Sequence, residues 1–121
     1  MSVRLQTHQT ELIVLAVLQT GPMYGYGIGK RVLAKSGGEL KLGPGVLYPL
    51  LASLEQSKLV SASWDEGSGE EGGRKRKWYR LTAKGKKRLE SRVRDHRAQL
   101  ALIESFISSQ EEPSKVEGGT E

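Results

Sequence analysis

The segment from Leu42 to Glu55 constrains the fold of this chain more than any other. It opens with Gly-Pro-Gly at residues 43–45, a combination that suits a turn and the first position of a helix but not a helix interior. The leucines that follow recur at helical spacing, at Leu47, Leu50, Leu51 and Leu54. The segment therefore predicts an amphipathic helix. We expect its start to be irregular, because Pro49 has no N–H and crowds the carbonyl four residues earlier.

The charge of the chain is unevenly distributed. The formal net charge is +5, from 19 basic and 14 acidic side chains. Residues 108–121 hold one lysine and four glutamates, so the other 107 residues carry 18 basic and 10 acidic side chains. A basic body of this kind indicates a polyanionic partner, either nucleic acid or an anionic membrane face. The alternative, which charge alone leaves equally open, is a basic protein that is simply soluble.

Several classes of function are excluded or disfavoured by composition. The chain has no cysteine, which excludes a disulfide framework and a thiolate metal site. No apolar run approaches the roughly 20 residues that span a bilayer, and residues 1–7 lack the apolar core of a secretory signal. The two histidines lie in different segments, and the carboxylates show no catalytic pairing. We therefore expect a cytoplasmic protein that is not an enzyme, with no catalytic residues, no cofactor, no metal and no membrane partner.

Two helices are predicted ahead of the Leu42–Glu55 segment. The first covers residues 11–18 and is apolar on nearly all sides, so it is expected to be buried, with Thr7 or Thr10 as its cap. The second lies within residues 23–35. Its three glycines are expected at its start, because glycine in a helix interior costs about 1 kcal/mol relative to alanine. Residues 40–42 alternate and indicate a short piece of strand.

A hairpin is predicted after the third helix. Residues 59–65 contain β-branched and aromatic side chains with a period near two, and residues 74–81 form the second predicted strand, with alternating side chains on its two faces. The glycine-rich residues 67–73 between them have the composition of a flexible loop. Four consecutive bases open the second strand, so both of its faces carry charge.

A long helix is predicted from residue 83 to residue 108, with Thr82 as its cap. At 1.5 Å per residue it would be about 39 Å long, more than a domain this small can cover. Its apolar side chains follow a heptad pattern, and His96 occupies one position of it. This heptad seam consists of Leu89, Val93, His96, Leu100, Ile103 and Ile107. It predicts a homodimer, the alternative being a helix that packs back on its own domain. His96 is expected to be a hydrogen-bonded interface residue, or else a source of pH sensitivity.

The order of helix, helix, helix, hairpin and long helix predicts a mainly α (α+β) protein. Its fold class is a winged helix-turn-helix with a two-stranded wing and a long C-terminal dimerisation helix. The predicted parts are a DNA-binding domain at 1–82, a dimerisation helix at 83–108 and a disordered acidic tail at 109–121.

Four segments resemble the PadR family of bacterial transcriptional regulators. They are residues 21–26, residues 44–55, Leu59-Val60 and residues 78–85, and the likeness extends from about Thr10 to Phe106. The resemblance implies a dimeric winged-helix repressor that reads palindromic operators in double-stranded DNA. The single C-terminal helix resembles the short form of the family.

In a helix-turn-helix, the N-terminal residues of the second helix approach the bases in the major groove. The basic strand of the wing is placed to reach the DNA backbone or the minor groove. The candidate DNA-binding residues are Tyr26, Lys41, Pro44, Gly45, Tyr48, Pro49, Arg74, Lys75, Arg76 and Lys77. The alternatives are packing roles for the two tyrosines and a merely solvated wing. The start of the helix offers no Arg, Asn or Gln for bidentate base contacts, so backbone contacts and DNA shape are expected to supply much of the specificity.

A second function stays open at this point. The chain could be an effector-sensing or protein-interaction module that binds DNA only weakly, with a small-molecule effector whose identity is unknown. Selection of bound sequences from random DNA discriminates the two.

Overall fold

The protein is described by a computed structural model that covers residues 4–65 and 76–110. The elements are α1 (Thr7–Leu18), β1 (Met23–Tyr24), α2 (Gly25–Lys35), α3 (Pro44–Gln56), β2 (Val60–Asp65), β3 (Arg76–Leu81) and α4 (Ala83–Gln110). The chain divides into two compact units, residues 1–89 and 90–121. The division at residues 82 and 108 stays a prediction, and most of the acidic tail lies outside the described residues.

The start of α1 differs from the sequence-based expectation. The N-cap residue is Gln6, whose N–H donates to Gln9 Oε1 at 2.8 Å. The predicted caps, Thr7 and Thr10, are the first and fourth residues of the helix itself. Thr10 is buried, and its hydroxyl donates to the Gln6 carbonyl at 3.2 Å. Thr10 therefore lies inside the helix, where threonine commonly bonds back to the carbonyl four residues earlier, and it does not cap the helix start.

The sheet has three strands rather than the two predicted. β1 pairs antiparallel with β3, which also pairs with β2, so the strand order is β1-β3-β2. Residues 23–24, expected at the start of the second helix, form β1 instead, and α2 begins at Gly25. The ring of Tyr24 lies 4.0 Å from that of its strand partner Trp78. A strand of two residues is too short to show a period in the sequence. It is defined only by its pairing with a strand far away along the chain.

The helix α3 forms as predicted, with Pro44 at its first position and Gly43 as its N-cap. The irregular start expected from Pro49 is not observed, and the helix continues through this residue without interruption. Pro49 is the sixth residue of the helix, so its missing N–H removes a single hydrogen bond just after the first turn. Its leucines at 47, 51 and 54 are buried, and Leu50 is half-buried. Residues 40–42 do not form the short strand that their alternation predicted. They belong to the connection between α2 and α3.

The end of α3, the sheet and the start of α4 meet at the carbonyl of Leu59. The Leu59 N–H donates to the Leu54 carbonyl at 2.9 Å, with Lys58 in the left-handed region at φ 66°. The Leu59 carbonyl accepts the Thr82 N–H at 3.1 Å. The Thr82 hydroxyl accepts the Gly85 N–H at 2.9 Å, which confirms Thr82 as the cap of α4. A Cβ at Gly85 would overlap the Leu59 carbonyl oxygen, so only glycine allows this approach.

One hydrophobic core holds the first unit together. Its members come from every helix of that unit and from the sheet: Val14, Leu15, Val17, Leu18, Ile28, Val32, Leu47, Leu51, Leu54, Leu59, Val60, Tyr79 and Leu89. The first turns of α4 are therefore part of this core, and Arg88 also pairs with Glu11 of α1 at 3.3 Å. Among the described helices, none combines the length and the hydropathy that a membrane span requires.

Candidate nucleic-acid interface

The helices α2 and α3 form a helix-turn-helix pair with a basic, aromatic surface between their N-terminal halves. Tyr26 is 71% exposed, and Lys30 Nζ lies 5.4 Å from the centre of its ring. Lys41 lies on the connection that leads into α3. These three side chains border an open cleft of about 240 Å³, whose other walls are mostly apolar. The structure thus brings together Tyr26 and Lys41, which the sequence predicted, and adds Lys30, which it did not.

Tyr48 links the two helices of the pair. Tyr48 is 44% exposed, so it is neither buried in the core nor fully open to solvent. The ring lies over Gly25 at the start of α2, where an added Cβ would be 2.7 Å from Tyr48 Cε1 and 3.0 Å from its hydroxyl oxygen. The absence of a side chain at Gly25 therefore allows Tyr48 to lie where it does.

The exposed face at the start of α3 carries the remaining predicted contacts of this helix. Pro44, Gly45 and Pro49 are exposed. Val46, which also belongs to the start of this helix, is 56% exposed between them. Residues 43–53 contain no charged side chain and no amide side chain. The surface is therefore apolar in its side chains and polar only through its backbone, Tyr48 and Ser53.

The wing presents Arg76 outward. Arg76 is exposed, with its guanidinium 5.1 Å from the centre of the Tyr24 ring. The Tyr24 hydroxyl donates to Asp65 Oδ2 at 2.5 Å. This hydrogen bond, desolvation and the charge of Asp65 raise the pKa of Tyr24 above its usual value. A ring-stacked guanidinium keeps its N–H donors in its plane, so Arg76 can still bind an anion. Arg74 and Lys75 lie outside the described residues.

Lys77 points to the other side of the wing. Its ammonium lies 3.2 Å from Glu55 Oε1, and 5.6 Å and 5.7 Å from the ring centres of Trp64 and Tyr79. These contacts are all made within the protein. Two neighbouring bases of the predicted cluster therefore have different surroundings. Arg76 is exposed and interacts with Tyr24 through its ring and a side-chain hydrogen bond, whereas Lys77 is paired with a carboxylate.

The heptad seam is divided between the two units. Leu89 is buried in the core of the first unit, 3% exposed, so it does not present a surface to another chain. In the second unit Val93 and His96 are half-buried. Within the part of that unit that the structure describes, the large apolar side chains that are exposed are Leu100, Leu102, Ile103, Phe106 and Ile107. Two of these, Leu102 and Phe106, were outside the predicted seam.

The sequence profile described as "Transcriptional regulator PadR-like family" matches residues 14–91, which is more than half of the chain. The chain belongs to the PadR-like family. The winged helix-turn-helix and the surface at α3 agree with this family of DNA-binding transcriptional regulators, whose members are not enzymes.

Individual relatives of this PadR-like chain agree with the family profile. A solved PadR family transcription regulator from Clostridium difficile R20291 is 27% identical, with a TM-score of 0.67 over 80% of this chain and 96% of that one. "Transcriptional regulator YqjI" of Escherichia coli is 29% identical over 84% of this chain and 44% of its own length. An uncharacterized 37.1 kDa protein in a transposon of Streptomyces fradiae is 38% identical over 71% of this chain. The PadR-like chain aligns with only 22% of that protein.

The contact between Tyr48 and Gly25 predicts a defined effect of Gly25→Ala on DNA binding by this PadR-like protein. The added methyl group displaces the exposed end of the Tyr48 ring and should weaken DNA binding roughly threefold to tenfold, the range of one lost hydrogen bond. Fluorescence anisotropy with labelled DNA measures this change, and a thermal melt checks that the fold is kept. Unchanged affinity would show that the position of Tyr48 is irrelevant to DNA.

Proposed function

We propose that this protein is a dimeric transcriptional repressor that binds a palindromic operator. The observation that carries the proposal is the exposed start of α3, flanked on one surface by Tyr26, Lys30 and Lys41. In a helix-turn-helix this is the part that enters the major groove. The flanking ammonium groups and tyrosine hydroxyls suit phosphate oxygens on the groove edges.

The proposed contacts fall into two groups. Pro44, Gly45, Tyr48 and Pro49 lie against the base edges and the nearest phosphates, where the free N–H groups of the helix start also favour anions. The positioning contacts to the backbone come from Tyr26, Lys30, Lys41 and, through the wing, Arg76. Arg74 and Lys75 are assigned to the wing on sequence grounds alone. Lys77 is left out, since its ammonium is engaged with Glu55.

The dimer surface is the apolar face of α4 in the second unit. At roughly 100° per residue, Leu102, Phe106, Ile103, Ile107 and Leu100 span about 160° of the helix circumference. This is wider than the a/d stripe of a two-helix coiled coil, so the partner is expected to cover the helix with more than one element. Exposed apolar side chains clustered on one face are typical of an interaction surface.

A symmetric dimer gives a simple mechanism of repression. Two copies of α3 would contact half-sites about one helical turn apart, roughly 34–36 Å, on an inverted repeat. Repression then needs only occupancy of DNA that overlaps a promoter. A small-molecule effector of this dimer stays a sequence-based prediction.

Selection of bound sequences from random double-stranded DNA at physiological salt tests the proposal. An inverted repeat supports a symmetric dimer that reads an operator. Enrichment of a single, unrepeated site contradicts the dimer. Enrichment of no sequence contradicts specific binding and favours the interaction module that binds DNA weakly.

The two neighbouring bases of the wing predict different salt dependences. Each phosphate contact contributes about 0.9 to the slope of log K against log salt, so Arg76→Ala should flatten the slope of the dimer by roughly 2. Lys77→Ala removes the same charge one residue away and should leave the slope unchanged, because Lys77 is paired with Glu55. Titrations from about 50 to 200 mM salt measure both slopes. Equal effects of the two variants contradict the assignment of Arg76 to a phosphate.

A further inference from the structure

The exposed side of α3 forms one wall of a concave surface that extends from the proposed contact at Pro49 toward the start of α1. Val46 and Pro49 face residues near the start of α1 across an open hollow of about 350 Å³. The residues that line it are Leu5, Thr7, Thr10, Val46, Pro49, Leu50 and Ser53. None of them carries a charge. Val46 is 56% exposed although its side chain is a branched hydrocarbon, and it stands at the third position of the helix.

The chemistry of this hollow restricts what it can contact on DNA. A phosphate is disfavoured, since no lining side chain is basic. The bidentate contacts that distinguish guanine and adenine call for arginine, lysine, asparagine or glutamine, and none of these lines the hollow or occurs in residues 43–53. The apolar group that the major groove offers is the C5-methyl group of thymine. A valine at the start of a helix in that groove is suited to this contact.

We propose that Val46 reads the C5-methyl group of a thymine in each half-site, with Pro49 forming the adjacent apolar wall. The inference rests on the proposed function, since it assumes that α3 lies in the major groove. In this proposal an apolar contact distinguishes the bases, because the start of α3 has no amide or guanidinium side chain that could do so. The operator is then expected to contain a required A·T pair at the same position of both half-sites.

Replacement of thymine by deoxyuridine tests this directly, because it removes the methyl group and leaves the hydrogen-bonding edge intact. The probe is the operator obtained by selection from random DNA, with each thymine replaced in turn in both half-sites. One buried methyl group corresponds to about a fourfold change in affinity, so a symmetric pair of replacements should weaken binding about sixteenfold. Replacements in the spacer between the half-sites serve as controls and should have no effect.

The protein side of the test is Val46→Ala. Because Val46 is exposed, the variant should melt at the wild-type temperature while binding the thymine operator about as weakly as the wild type binds the deoxyuridine one. It should also lose the discrimination between the two operators. If Val46→Ala keeps the full wild-type ratio, or if no deoxyuridine replacement weakens binding of a selected operator, the inference is overturned while the proposed function stands. If no operator can be selected, the proposed function itself fails.

Discussion

Gly85→Ala is expected to lower the stability of the first unit severely. The added Cβ would overlap the backbone carbonyl oxygen of Leu59 and press on Leu81 Cδ1, 2.8 Å away. Of these two neighbours, the backbone carbonyl is the one that cannot move without breaking other contacts. The Leu59 carbonyl is held by the Thr82 N–H at 3.1 Å and by the Thr82 hydroxyl at 3.0 Å, and Leu59 itself is buried.

The expected loss is about 3 kcal/mol or more, at the upper end of overpacking effects, because the atom that must give way belongs to the backbone. For a unit of this size that lowers the melting temperature by roughly 15 °C. Thermal and denaturant unfolding followed by circular dichroism measure it.

Gly27→Ala provides the matched control for this substitution. Gly27 lies inside α2, and a Cβ added there meets no atom within 4 Å. Alanine is the better helix former by about 0.5–1 kcal/mol, so this variant should be more stable than the wild type. The same chemical change is thus expected to have opposite signs at the two positions. A Gly85→Ala variant that melts with the wild type would disprove the close approach of α4 to the Leu59 carbonyl.

Ile103→Glu is expected to dissociate the proposed dimer. Ile103 is 56% exposed in the single chain and lies near the middle of the apolar face of α4. A symmetric interface would bury two unpaired carboxylates, one from each copy, and one uncompensated buried charge already costs about 3–5 kcal/mol. The dimer dissociation constant should therefore rise by at least about a hundredfold. Sedimentation velocity at low micromolar concentration should then show a 13.3 kDa species.

Ala101→Glu is the control for the charge itself. Ala101 is exposed and lies opposite the centre of the apolar face, about half a turn away at roughly 100° per residue. This variant should sediment as the wild type does and bind an inverted repeat equally well, whereas Ile103→Glu should lose most of its affinity for the repeat. A wild type that sediments as a monomer, or equal dissociation by both variants, contradicts the proposed dimer surface.

The helices and the hairpin could be predicted because their signals are local. The leucine spacing of α3, the Thr82 cap and the alternation of β3 each lie within one short segment. β1 could not be predicted, since two residues carry no period and its pairing depends on Trp78 and Tyr79, more than fifty residues away. The capping of α1 by Gln6 was missed for a different, local reason. Two threonines near the helix start suggested a cap, and one of them bonds within the helix instead.

The charge pattern of the wing did not predict which of its basic side chains are paired within the protein. A run of four bases looks uniform in the sequence, yet Lys77 finds its partner in Glu55 on another element. The period of β3 placed Lys77 on the face of buried Tyr79, and that was the signal that could have separated it from Arg76. The heptad template likewise selected Ile103 and Ile107 but passed over Leu102 and Phe106. At roughly 100° per residue, Phe106 and Leu102 lie about 100° and 140° from the centre of the heptad seam, so a search for one narrow stripe does not include them.

Pro49 has one more consequence for α3. Pro49 has no N–H. The carbonyl of Gly45, four residues earlier, therefore lacks the hydrogen-bond donor that any other residue at position 49 would supply. Gly45 is exposed, so its oxygen is able to accept a hydrogen bond from water or from a molecule that docks there. The start of a helix otherwise offers only donors to its surroundings. This one also offers an acceptor built into the backbone, which a side-chain replacement at Gly45, Val46 or Tyr48 leaves in place.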